Sequence, residues 1–268
     1  MGSLYVHLLP RLADPALLAG GVAVVVDVLR ATTTISHALS NGASEVIACL
    51  EVEDALSAAK AFAPGERFLG GERGGARIEG FDFGNSPGEY SRDVVAGKSV
   101  IFTTTNGTRA MLECRSAARV VLGAFVNASA LCRELALTLS HQHGVVNVVC
   151  AGTGGEVSLE DTLFAGSVVD RLAPLASEAN DSARLAAAAW RQAFAGFARW
   201  RTPGDLSPEA RQADCHALGQ LLREGRGGRN CLRLGLGADI DTAATIDALN
   251  LVPEFEAATR RITAPRDV

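Results

Sequence analysis

The stretch "VVVDVLRATTTI", residues 24–35, decides the fold. Its valines belong to the longer run "VAVVVDV" at 22–28, and unbroken β-branched residues suit a strand covered on both faces. Asp27 falls where that strand gives out, Arg30 follows, and Thr32, Thr33 and Thr34 open a helical stretch. A strand that ends in polar residues and passes into a helix is the repeating unit of an α/β sheet.

Working outward, the same plan recurs in "VIFTTTNGTRAM" at 100–111 and "NVVCAGTGGEVSLED" at 147–161. Strands are predicted at "SVIFT" (99–103), "ARVVLGAF" (118–125) and "VVNVVC" (145–150), with helices over 52–62, 107–114, 128–141 and 159–173. The expectation is a three-layer α/β/α sandwich on a largely parallel sheet, with mixed strand order allowed. All 268 residues are assigned to one α/β domain carrying a helical segment at about 180–229. Within that segment two helices flank "RTPGDLSPEA", where Ser207 can cap and Pro208 fills the first turn. "REGRGGRN" then breaks the helix, either as a plain loop or as a mobile cover over a site. Trp190, Phe194 and Phe197 share one helical face, which reads as core or as a subunit contact compatible with a homodimer.

A formal net charge of -5 argues against general affinity for nucleic acid or anionic membrane, yet leaves room for a small basic pocket. Asp27 interrupts the apolar stretch around Ala19–Leu29, and no basic leader opens the chain, so a soluble, cytoplasmic protein is expected. The six cysteines are scattered without a CxxC pair and read as reduced, buried thiols. The five histidines form no zinc motif.

Ligands of open α/β sheets collect beyond the carboxyl ends of strands, so the three polar tips are expected to face one crevice. A buried carboxylate at Asp27 needs a cation, a metal or helix N–H groups, and Arg30 offers a planar fork for a phosphate or carboxylate. One of Thr32, Thr33 and Thr34 is expected to cap the helix that they open. In "TTTNGTRA", Thr104, Thr105 and Thr108 supply hydroxyls, Asn106 can cap the next helix, Gly107 permits close approach and Arg109 adds charge. An Asn-Gly turn with strand-favouring threonines is the plainer alternative; seven consecutive polar or glycine positions favour an oxyanion cradle.

"RFLGGERGGARIEGFDFGNSPGEY" shows no sustained period and contributes Glu72, Arg73 and Asn85 as site candidates, with Asp82 weaker and Arg73 open to reading as a surface ion pair. Ser86 to Glu89 fits a capping box with Pro87 in the first turn. Ser158 to Asp161 fits another, which competes with a metal role for Asp161, whereas Glu160 is not needed by that box. Carboxylates gathered with Asp27 would suit Mg²⁺. Cys150 lacks the arginine that a thiolate phosphatase loop would place about six residues on.

Taken together, "DVLRATTTI", "LGGERGGARIEGFDFGNSPGEY", "TTTNGTRA", "CAGTGGEVSLEDTLFAG" and, more loosely, "LGLGADIDTAATIDALNLVP" resemble the 2-phosphosulfolactate phosphatase family of Mg²⁺-dependent acid phosphatases. They occur in family order and span nearly the whole chain except about 180–225. The resemblance implies hydrolysis of a small anionic phosphorylated substrate, 2-phosphosulfolactate, on an α/β/α fold with Mg²⁺ as cofactor. It places Asp27, Arg30, Glu72, Arg73, Asn85, Ser86, Thr104, Thr105, Asn106, Gly107, Arg109, Glu160 and Asp161 at matching positions, with Asp27, Glu72, Glu160 and Asp161 as the candidate metal carboxylates. The alternatives are a phosphatase for another phosphorylated hydroxy acid and a non-catalytic protein that binds an anionic metabolite.

Overall fold

The computed structural model describes residues 2–195 and 207–264. Its strands are β1 (Gly2–His7), β2 (Val22–Val26), β3 (Glu45–Cys49), β4 (Arg67–Arg73), β5 (Ala76–Arg77), β6 (Ser99–Thr103), β7 (Arg119–Gly123), β8 (Val145–Cys150), β9 (Ala176–Ala179), β10 (Glu254–Glu256) and β11 (Arg261–Thr263). The helices are α1 (Pro15–Leu18), α2 (Ala31–Ser40), α3 (Val52–Ala59), α4 (Arg92–Val95), α5 (Gly107–Glu113), α6 (Ala128–Ser140), α7 (Leu159–Leu172), α8 (Asp181–Ala193), α9 (Pro208–Glu224), α10 (Arg226–Arg233) and α11 (Gly237–Ala243).

The valine run of β2 alternates as a strand must. Val22, Val24 and Val26 enter a core with Phe125, Leu131 and Phe164, while Ala23 and Val25 enter another with Ile35, Ala38 and Met111. Both faces are therefore dry, and each fully buried valine contributes on the order of 1.5–3 kcal/mol. The expected three-layer sandwich is present. Its sheet runs β5-β4-β6-β3-β11-β10-β7-β2-β8-β1-β9. One parallel block contains β4, β6 and β3, and the other contains β7, β2, β8, β1 and β9. The β10–β11 hairpin joins the blocks through antiparallel pairings, which supplies the mixed order.

Two segments differ from expectation. The first part of the glycine-rich stretch is strand β4, not irregular chain: its glycines are there because neighbours leave no space for a side chain. A Cβ at Gly70 would collide with the Tyr90 hydroxyl, and one at Gly71 (φ +142) with the Thr103 carbonyl. "REGRGGRN" is not a loop: it runs from the end of α9 through the extended Gly225 into helix α10. Gly228 of α10 packs so tightly on Leu222 O and Arg223 that no Cβ fits.

Ser207 caps α9 through Ala210 N–H, with Pro208 in its first turn. Trp190 stacks on Phe194 and on Phe125 inside the chain's own core; Phe197 lies outside the described residues. That face therefore packs inward, and it leaves no apolar surface for a second copy at Trp190 and Phe194. All six cysteines are free thiols. No helix among the described residues is long and apolar enough to cross a membrane.

Candidate active site

Residues after β2, β6 and β8 line one cavity of about 290 Å³, together with the end of β4 and one face of α10. Asp27, Glu72, Asn85 and Arg30 are buried at its floor, and Thr105, Asn106, Thr153 and Gly154 come from the β6 and β8 tips. The expected common crevice therefore exists.

Asp27 packs its Oδ2 against Gly107, where an added Cβ would stand 2.8 Å away. Gly107 thus lets the start of α5 close onto the β2 carboxylate. Asp27 Oδ1 accepts from Ala31 N–H at 3.4 Å. Glu72 ties two tips together: Oε1 accepts from Thr105 N–H (2.8 Å) and Oε2 from Gly75 N–H (2.6 Å). Asp161 does the same for two others, accepting from Val28 N–H at Oδ1 and from Gly152 N–H and Ser158 Oγ at Oδ2. The Ser158–Asp161 capping box is consequently not formed, because both carboxylate oxygens face the sheet. Glu160 is buried beneath α10; a Cβ at Gly227 would lie 2.0 Å from its Oε1, and its Oε2 has no protein partner.

Arg30 is buried and held by three acceptors. Its Nη1 donates to Asp239 Oδ2 (2.7 Å) and Ser86 Oγ (3.2 Å), and its Nη2 donates to Gly75 O (2.6 Å). Ser86 Oγ in turn donates to Asp239 Oδ2. Glu89 reaches back to Ser86 N–H as the first capping box requires.

The threonines act differently from the expected caps. Thr32 Oγ1 donates to Asp27 O and Gly123 O, Thr33 Oγ1 to Val28 O, and Thr34 Oγ1 to Asn85 O, so none caps α2. Asn106 does not cap α5 either: its Oδ1 accepts from Gly154 N–H, linking the β6 and β8 tips. The hydroxyl that accepts from the first turn of α5 belongs to Thr104, through Thr108 N–H at 3.2 Å, and Thr104 and Thr108 hydroxyls face each other.

Arg73 is neither a cavity residue nor a surface ion pair. It braces Leu50 O, Glu72 O and Thr103 Oγ1 behind the floor. Arg109 is exposed on α5 and does not line the cavity. Asp82 accepts from Leu69 N–H and pairs with Arg67 on the outside of β4. Residues missed by sequence reasoning are Asp239, Arg226, Asn230 and Arg233. The last three recur at helical spacing on α10, a signal hidden by the glycines between them.

Burial pushes Asp27 well above the ordinary carboxylate range, reinforced by the charges of Asp161, Glu72 and Glu160. Burial, then Asp161, raises Glu160 to about 7. Burial raises Asp161 to about 6 against its hydrogen bonds from Val28, Ser158 and Gly152. The Cys150 thiol is pushed well up by burial and by Asp161 and Glu160, which keeps it protonated and inert as a nucleophile. Folded carboxyls that hold protons more tightly than unfolded ones favour folding below the unfolded values and lose that advantage as pH rises through the folded values. Without a divalent ion, the thermal midpoint is therefore expected to fall between pH 5 and 8, by a destabilisation on the order of 3 kcal/mol. Calorimetry in chelator across that range checks the sign.

The oxygens that the cavity lining offers to a cation are hard ones, from Asp27, Glu72 and the unpartnered Asn85 Oδ1; Glu160 Oε2 is unpartnered too, but Glu160 lies beneath α10 and does not line the cavity. No three His, Cys, Asp or Glu side chains among the described residues converge closely enough to hold an ion unaided. The oxygen-only character of the lining donors is the chemistry that suits a hard divalent cation.

An α/β/α sheet whose strand ends gather buried carboxylates, amide donors and arginines around a small cavity belongs to the class of enzymes acting on small anions at a topological edge. A family model described as 2-phosphosulpholactate phosphatase matches residues 8–200. Relatives named probable 2-phosphosulfolactate phosphatase include one from Symbiobacterium thermophilum, 39% identical over 242 residues, covering 89% of this chain and 92% of that protein. Another, from Gloeobacter violaceus, is 42% identical over 237 residues, covering 88% and 89%. A third, from Deinococcus radiodurans, is 40% identical over 234 residues, covering 87% and 86%. The chain belongs to the 2-phosphosulpholactate phosphatase family.

Proposed function

We propose that the chain is a Mg²⁺-dependent phosphatase that hydrolyses 2-phosphosulfolactate to sulfolactate and phosphate, working as one catalytic domain in the cytoplasm. The observation that carries this reading is the cavity at the convergent strand ends, where the buried Asp27 and Glu72 carboxylates stand with Asn85, Thr105 and Asn106 in one lining. Buried carboxylates in that lining would by themselves repel an anionic substrate, so the site makes chemical sense as the seat of a divalent cation.

In this reading Asp27 and Glu72 are the cavity carboxylates that would hold the ion, with Glu160 buried behind them beneath α10. Asp161 has both oxygens committed to Val28, Gly152 and Ser158, so it sets the spacing of the β2 and β8 tips. Bound Mg²⁺ supplies positive charge for the phosphoryl oxygens and acidifies a water. Thr105, Asn106 and Asn85 orient the phosphate by hydrogen bonding from the cavity wall. Arg30, pinned by Asp239, Ser86 and Gly75, is a rigid part of the floor whose position is fixed before substrate arrives. Uncatalysed monoester hydrolysis is slow enough that fixed donors and metal charge are both required.

The test is phosphate release from 2-phosphosulfolactate with Mg²⁺, beside a panel of other phosphorylated hydroxy acids. Preferential turnover of 2-phosphosulfolactate supports the reading. Preference for another panel member moves the substrate, and tight binding without release contradicts catalysis.

A further inference from the structure

The cavity floor and rim differ in how their charges are committed. At the floor, Arg30 is paired with Asp239 at 2.7 Å, both side chains being buried, so its charge is already balanced. At the rim, α10 offers Arg226 and Arg233, seven residues apart. Seven residues make about two turns and about 10 Å of helix, so both guanidiniums share the face that lines the cavity. Arg233 is exposed, and among the described residues its side chain makes one long contact, 3.4 Å to Asn230 Oδ1. Arg226 is half exposed and meets the Glu156 carboxylate, itself 73% exposed, on the loop after β8. A carboxylate that well solvated is readily exchanged for another oxyanion.

The substrate has a matching asymmetry, given the function proposed above, on which this inference rests. In 2-phosphosulfolactate the carboxylate sits on the carbon that carries the phosphate, whereas the sulfonate sits one carbon further out. With the phosphate held among the buried floor groups, the sulfonate is the group that reaches the rim. We propose that Arg226 and Arg233 are the specificity-determining residues that recognise the sulfonate, and that Glu156 occupies Arg226 until the sulfonate replaces it. Planar guanidinium forks suit a three-oxygen anion, and arginine keeps its charge at every working pH.

The experiment compares Arg226→Gln and Arg233→Gln with the unaltered enzyme, in Mg²⁺, on 2-phosphosulfolactate and on 2-phospholactate, which lacks the sulfonate. Loss of a charged hydrogen bond predicts a rise of roughly ten- to a hundredfold in KM for the sulfonated substrate with kcat little changed. KM for 2-phospholactate should hardly move, and Arg→Lys at either position should restore part of the loss. An equal loss on both substrates, or a loss confined to kcat, overturns the proposal.

Calorimetric binding of sulfolactate separates this from the catalytic reading, because it needs no turnover. Weaker binding in both Gln variants sustains the sulfonate site even if the enzyme releases no phosphate. Equal binding by all three proteins, or none by the unaltered enzyme, overturns it. Glu156→Gln should bind sulfolactate a few-fold more tightly, and unchanged or weaker binding would remove Glu156 from the exchange.

Discussion

Asp27→Asn is expected to lower phosphate release by at least roughly 10²–10³-fold while raising the thermal midpoint of the metal-free protein. The two effects have one cause. Asp27 is buried, and the charges of Asp161, Glu72 and Glu160 all oppose its ionisation. Asparagine keeps the shape, and its amide oxygen can still accept from Ala31 N–H. It removes the repulsion, and with it the charge that holds a cation. For a chain of this size each kcal/mol recovered is worth about 2–4 °C. A residue serving only the fold would show the opposite pattern, with a lower midpoint and turnover in proportion to folded protein. Melting in chelator and initial rates in Mg²⁺, on the same preparation, distinguish the two.

Asp239→Ala is expected to cost about 3–5 kcal/mol of stability and to abolish most activity, through Arg30. The substitution leaves a guanidinium buried without its counter-ion and leaves Ser86 Oγ without its acceptor. Urea unfolding should show a lower midpoint with an unchanged slope. Replacing both partners by apolar residues, as in Arg30→Met with Asp239→Leu, should recover much of the stability but not the turnover. Recovery of both would make the pair a packing feature with no part in the reaction. Asp239 stands 209 residues from Arg30, so no local pattern in the chain could have announced the pair.

What was legible in the chain follows from the range of the forces involved. The strands at 99–103 and 145–150 have the bounds that their β-branched runs predict, because burial on both faces selects those residues one by one. The convergence of the β2, β6 and β8 tips was also legible, since polar residues after such strands have nowhere to go but the crevice. Strand β4 was not, because Gly70 and Gly71 answer to Tyr90 and Thr103 rather than to strand propensity. Helix α10 was hidden for the same reason: Gly227 and Gly228 are poor helix formers kept small by Glu160 and Leu222.

Side-chain roles were the least legible. Asn106 and Asp161 both sit at positions where local rules favour a cap, yet each reaches to another strand tip, Asn106 to Gly154 and Asp161 to Val28. For Asp161 the long-range partners outcompeted the helix end because the buried Val28 and Gly152 N–H groups must be satisfied by something, whereas the Gly154 N–H that Asn106 accepts from is exposed. Arg73 and Arg109 carry the right charge in the right motifs, but one braces carbonyls behind the floor and the other lies exposed on α5. The cavity instead takes its rim charge from α10, which lies beyond the residues matched by the family model.

The most direct measurement is phosphate release from 2-phosphosulfolactate by one enzyme sample assayed in turn with Mg²⁺, after chelation, and after Mg²⁺ is restored. Release that stops on chelation and returns with Mg²⁺ is the predicted result. Release that continues undiminished in chelator would contradict the account, because the buried carboxylates would then have no cation to hold.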